Sequence, residues 1–97
     1  MAKPDLTRAF APPDFSGERG RAAIHAIQAL ATGKASEAQQ ETALDFIIHD
    51  ICRTYDCSFR PDDKGGERDT SFAEGRRFAG LQIERVIRNS YDKLVLK

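Results

Sequence analysis

Apolar residues recur at helical spacing in three stretches of the chain, separated by segments of different character. From about Ser16 to Thr32, the residues Ile24, Ile27, Leu30 and Ala31 share one face, with Arg21, His25, Gln28 and Thr32 opposite. Ser16 stands where an N-cap hydroxyl is wanted, with Glu18 near the positive end of the helix dipole. Gly33 follows the last turn as a residue that accepts positive φ. Alanines at 22, 23, 26, 29 and 31 let a neighbouring helix approach closely. From Glu37 to about Tyr55, a second stripe runs through Leu44, Ile47, Ile48, Ile51, Cys52 and Tyr55. Ser36 followed by Gln39 reads as a capping box. Phe46 leaves that stripe, projecting about 200° from Leu44 at roughly 100° per residue. It calls either for cover from the N-terminal segment or for a partner. From Phe72 to about Asn89, the residues Phe72, Ala79, Ile83, Val86 and Ile87 share a third face, and Ser71 followed by Glu74 reads as another capping box.

Residues 1–15 read as an extended arm. Pro4, Pro12 and Pro13 forbid a continuous helix, and Phe10 and Phe15 are apolar anchors that a freely solvated tail seldom carries. Residues 56–70 form a long acidic loop, with Pro61 and Gly65-Gly66 as turn signals. Tyr91–Lys97 is a short strand or an apolar tail. The expected fold is therefore all-α: three helices (about 16–32, 37–55 and 72–89), an N-terminal arm, and one small helical domain over 16–97. The short link Gly33–Ala35 makes the first two helices a hairpin.

Composition narrows the functional classes. Fifteen Lys and Arg balance fifteen Asp and Glu, which argues against a uniformly basic nucleic-acid coat. The imbalance is local. Residues 22–56 carry two basic and five acidic groups, and residues 71–97 carry six and three. That asymmetry favours segments packing on one another or on copies of the chain. No apolar run is long enough to span a membrane. Trp is absent, so Ile, Leu and Phe must supply most of the core.

Chemistry-bearing constellations are few. His49, Cys52 and Cys57 have an H-x2-C-x4-C spacing, with His25 as a conceivable fourth zinc ligand, but Cys52 sits within an apolar stripe and reads as core. The acids Asp56, Asp62, Asp63, Glu67 and Asp69 miss the calcium-loop spacing and are interrupted by Lys64 and Arg68. No nucleophile stands beside an evident base. The expectation is a protein that is not an enzyme and takes no metal or cofactor.

Residues 71–81 carry the most information. On a helical wheel Arg76 falls in the middle of the apolar face and Arg77 beside Glu84 and Arg88. A buried guanidinium must be paired, so Arg76 is expected to be a structural ion-pair partner or an anchor for the 56–70 loop. Gly75 and Gly80 flank the same face, and close backbone packing would explain tolerating both. Phe46, Phe78 and Leu81 lie off the main stripes and, with Phe10 and Phe15, are the expected partner-binding residues. Arg77, Arg85 and Arg88 are possible polyanion contacts.

The run from Thr54 through Phe59, followed after the acidic loop by Thr70 through Ile83, resembles a family of short proteins from tailed bacteriophages. Its members carry an aromatic-x-x-Gly-Arg-Arg-x-x-Gly-Leu helix motif near the C-terminus. Phe72, Gly75, Arg76, Arg77, Gly80 and Leu81 carry that motif here. The resemblance covers roughly residues 30–90. It implies a phage setting and a virion or assembly role, and brings no catalytic residues with it. The expected function is a structural or assembly protein of a tailed-phage virion, assembled in the host cytoplasm. A small subunit at the portal vertex, internal to the portal or in the ejection core, fits best. Its partners would be portal or core proteins and copies of itself. The alternative is a DNA-binding or genome-packaging accessory protein.

Overall fold

A computed structural model describes residues 8–95, so Pro4 of the arm and Leu96 and Lys97 of the tail lie outside the described residues. The fold is all-α, 69% helical, with no strand among the described residues. Helix α1 spans Gly17–Ala31 and α2 spans Glu37–Phe46; a π turn, Ile47–Ile51, extends α2. A short 3-10 turn, Asp62–Lys64, precedes the long helix α3, Gly66–Arg88, and α4 covers Tyr91–Val95.

The α1–α2 hairpin forms as its link predicts. Gly33 takes φ +73°, letting its N–H donate to the Leu30 carbonyl and that of Lys34 to the Ala29 carbonyl. This closes the last turn with two otherwise unpaired acceptors satisfied. The Ser36–Gln39 capping box is present in both directions, at 3.1 and 3.2 Å. Ser16 does occupy the N-cap of α1, but its hydroxyl donates to Asp14 at 2.6 Å instead of capping. The hairpin is zipped by small residues. Ala23, Ala26 and Ala43 are buried, whereas Ile24 and Ile27 are only half-buried and Leu30 is exposed. The expected large-residue stripe is therefore not the contact face of α1; alanines win that position because they let the helix backbones come together.

The second helix ends earlier than its apolar pattern suggests. In the π turn the Cys52 N–H reaches back five residues to the Ile47 carbonyl at 2.9 Å. The wider turn changes the phase of the helix face. Ile48 and Cys52 point inward, while Ile51 and Tyr55 turn out to solvent. Arg53 then adopts φ +47°, which stops the helix, and Thr54 locks the stop. Its hydroxyl donates to the Ile48 carbonyl at 2.7 Å, fully buried.

Helix α3 begins six residues before the expected start. Gly65, at φ +99°, turns the chain into it. Ser71 is consequently inside the helix, and the expected second capping box does not form. Thr70, drawn into the first turns, donates to the Gly66 carbonyl at 2.9 Å and accepts from the Arg60 N–H at 2.9 Å. The buried Arg60 guanidinium folds back onto the carbonyls of Cys57, Ser58 and Phe59. These bonds organise the shortened loop from within. Within the tail, Tyr91–Val95 forms a short helix, not a strand.

The architecture is open. Its radius of gyration is 15.4 Å, against about 12.5 Å for a compact chain of this length. It exposes 7130 Å², where a compact monomer of the same mass exposes about 5500 Å².

Candidate functional site

Helix α3 has two unlike sides. Its inner side carries Asp69, Ala73, Arg76, Arg77, Gly80 and Glu84, at i, i+4, i+7, i+8, i+11 and i+15. Asp69 is almost fully buried and accepts from Arg8 Nε at 2.7 Å, Arg8 Nη2 at 3.2 Å and the Ala9 N–H at 3.0 Å. The Arg8 hydrogen bond, with help from the Ala9 N–H, holds the Asp69 carboxyl below the usual carboxylate range. Two turns on, Arg76 donates to the Ala9 carbonyl and lies over the Phe72 ring at 5.7 Å. Ala9, gripped from both sides, is completely buried.

Arg77 holds the other wall. Its Nε donates to the Thr54 carbonyl at 2.9 Å and its Nη1 to Glu74 at 2.8 Å. The Arg77 bond keeps the Glu74 carboxyl below its ordinary range. At Gly80 the backbone lies directly on the Thr54–Cys52 turn: a Cβ there would collide with Thr54 Oγ1 and approach Cys52 Cβ to 3.0 Å. Further along, Glu84 accepts from the Tyr55 hydroxyl and from Arg88 at 2.8 Å. The Glu84 contact raises the Tyr55 pKa.

This geometry revises several expectations. Arg76 anchors the N-terminal arm, and it is Arg77 that holds the chain before the loop, because the inner side of α3 is centred nearer Ala73 and Gly80 than Phe72 and Ile83. Arg77 is thereby turned against the body, with Nε and Nη1 engaged by Thr54 and Glu74, which argues against the expected polyanion contact. Arg88 is exposed but paired with Glu84, and Arg85 projects into solvent. Phe46 is not a partner residue. It is 1% exposed, stacked beside Phe15 at 5.7 Å and covered by the Arg19 guanidinium at 5.4 Å. Arg19 is fixed there by Asp50 at 2.7 Å. The arm is what covers Phe46, so Phe15 serves the interior on one side of its ring. Phe10 stays exposed, with Arg8 over its ring at 4.7 Å. Phe78 and Leu81 are exposed. Of the two helix glycines, only Gly80 is explained by close packing; Gly75 faces open space.

The outer side of α3 is apolar and uncovered. Phe72, Phe78 and Val86 are each more than half exposed, with Phe78 at 62% and Val86 at 63%; Ile87, in line with Asp69 but near the free end of the helix, and Tyr91 and Val95 of α4 are exposed as well. The six motif positions thus divide. Arg76, Arg77 and Gly80 clamp the arm and the Thr54 turn, whereas Phe72, with only the Arg76 guanidinium over its ring, and Leu81 stay exposed and Gly75 faces open space.

No family model, curated protein or solved structure matches this chain.

Other features are chemically quiet. Among the described residues no three of His, Cys, Asp and Glu are placed to hold a metal ion. His49 pairs with Asp45 at 3.4 Å and lies against the Tyr55 ring, apart from any thiol cluster. Burial pushes the Cys52 thiol up, away from nucleophilic use. An open cleft of about 550 Å³ lies between the loop and the start of α3, lined by Phe59, Pro61, Asp62, Glu67, Thr70 and the inward-folded Arg60. Among the described residues no helix is long and apolar enough to cross a membrane.

Sequence reasoning missed Arg8, Thr54 and Asp69 as the fastening points. One signal was available: Asp69, Ala73 and Gly80 align on a helix, and a stripe of one acid and two small residues marks a face that something approaches closely.

Proposed function

We propose that the chain is a non-enzymatic structural or assembly protein of a tailed-phage virion. It would be a small subunit at the portal vertex, contacting portal or core proteins and copies of itself. The observation that supports this most is the divided motif. Of the six residues that carry the resemblance, Arg76, Arg77 and Gly80 hold the fold, while Phe72 and Leu81 are exposed and Gly75 faces open space. Contiguous exposed apolar surface of this kind marks a contact site. An open fold whose buried apolar side chains are mainly alanines has little core of its own, so burial against neighbours would contribute much of its stability. In this reading the subunit is made in the host cytoplasm and ends in the particle. The test is the protein composition of purified, nuclease-treated, DNA-filled particles. The chain should be present at a fixed ratio to the portal subunit, and its absence from them would reject the reading.

The second reading, a DNA-binding or packaging accessory protein, draws on Arg85 and Lys93 in the basic C-terminal quarter. It predicts DNA affinity that falls steeply with salt through counterion release. Particle residence predicts association that survives high salt, because apolar burial dominates it.

A further inference from the structure

The outer side of α3 is centred on Gly75. At about 100° per residue, Phe72 and Ala79 lie to one side of it, Phe78 and Gln82 to the other, and Val86 above. Phe72, Gly75, Ala79, Gln82 and Val86 follow the alternating three- and four-residue spacing of a helix-pairing seam. Gly75 meets no atom within 4 Å, so nothing inside the chain requires a glycine there. A seam with Gly75 and Ala79 at its middle and phenylalanines beside them suits a second helix laid close against it.

The charges beside the seam select the occupant. Glu67 and Glu74 flank it toward the N-terminal end of α3, and Arg85 flanks it on the same edge toward the C-terminal end. Glu74 and Arg85 stand about 7.5 and 9 Å along the axis from Ala79, in opposite directions, at 1.5 Å per residue. Two copies of α3 crossing antiparallel at Ala79 would place Glu74 of each beside Arg85 of the other. A parallel pair would turn this edge of each copy toward the partner's opposite edge, so Glu74 and Arg85 of the two copies would not meet.

We infer that the outer side of α3 is a self-pairing surface, on which a second copy of this chain docks antiparallel about Ala79, with Phe72 of each copy against Val86 of the other. An antiparallel pair is isologous and closes on itself. The inference deepens the assembly reading and rests on it in one respect: both take this side of α3 as contact surface. The pairing is a property of the purified chain, whereas the virion reading is decided by particle composition, so either can fail without the other.

The test uses full-length protein with Cys57→Ser, which leaves only the buried Cys52. Sedimentation should show a concentration-dependent dimer. Gly75→Glu should weaken it at least tenfold while leaving the circular dichroism spectrum unchanged, since the new side chain enters open space. Under mild oxidation Ala79→Cys should link to itself, and a mixture of Phe72→Cys and Val86→Cys should form the mixed disulfide in preference to either self-linked product. A chain that stays monomeric throughout the micromolar range would overturn the inference, the surface then being left to another virion protein. Equal dimerisation by Gly75→Glu would overturn it too, as would preferential self-linking of Phe72→Cys, which signals a parallel pair.

Discussion

Two glycines five residues apart in one helix should respond to the same substitution with opposite sign. Gly75 faces open space, and its replacement by alanine removes only the backbone entropy cost of glycine in a helix, about 1 kcal/mol. Gly75→Ala should therefore stabilise the chain by roughly that amount and raise Tm by about 4–8 °C. Gly80→Ala gains the same helix propensity but places a methyl group against Thr54 Oγ1 and 3.0 Å from Cys52 Cβ. Neither neighbour has room to yield. Thr54 is fully buried, and its hydroxyl satisfies the Ile48 carbonyl at 2.7 Å. Overpacking of this kind costs about 1–3 kcal/mol, and displacing the hydroxyl adds about 1 more. After the propensity gain, the expected net loss is about 1–3 kcal/mol. Urea melts followed by circular dichroism, at a concentration where any oligomer has dissociated, measure both. A double-mutant cycle isolates the cause: Thr54→Ala and Gly80→Ala together should cost less than the sum of the two alone. If both glycines responded with the same sign, or the two Gly80 and Thr54 effects simply added, the placement of α3 on the Thr54 turn would be refuted.

Other expectations follow from the same geometry. Phe46→Ala should cost about 3–5 kcal/mol, as for a buried aromatic, whereas Phe78→Ala should leave the monomer's melt within about 0.5 kcal/mol of wild type. Arg76→Ala and Arg77→Ala should each cost about 1–3 kcal/mol in denaturant melts, because each strips a donor from a backbone carbonyl at the helix's inner side; a negligible effect of Arg77→Ala would contradict its bond to Thr54. Asp69 is held below its unfolded value, so its contribution to stability is complete above the unfolded carboxylate pKa of about 3.9 and is lost as pH falls through the lower folded value. The stability gap between wild type and Asp69→Asn should accordingly shrink in acid melts below about pH 4 and hold constant from there to neutrality.

The helical class of this fold was legible because helix period and chain breaks dominate the local sequence. The hairpin link, the Gly33 stop and the Ser36–Gln39 capping box are all short-range devices, and each formed as its residues indicate. The Ser16 cap is lost locally, to Asp14 two residues back, but the larger departures depend on partners far along the chain. Apolar spacing alone carries the second helix to Tyr55; the π turn that redirects it is held by Thr54 beneath Gly80, a tertiary contact. The start of α3 was placed at a plausible capping box, Ser71 with Glu74. The earlier start succeeds because Asp69 and Thr70 find their partners in Arg8 and Arg60, the first of them 61 residues away. Phe46 was correctly identified as off the stripe, but only the structure shows that Phe15 and Arg19 cover it. Phe78 and Leu81 follow the converse logic: they fit no internal face in the sequence pattern, and the fold leaves them exposed.

The proposed place of this chain is as a subunit within a tailed-phage particle. Cryo-electron microscopy of particles made with and without the chain tests it most directly. The difference map should show helical density at the portal vertex that accommodates the α1–α2 hairpin and the 23-residue α3. Identical vertices in the two particles, with the chain recovered only in the unassembled fraction, would contradict it.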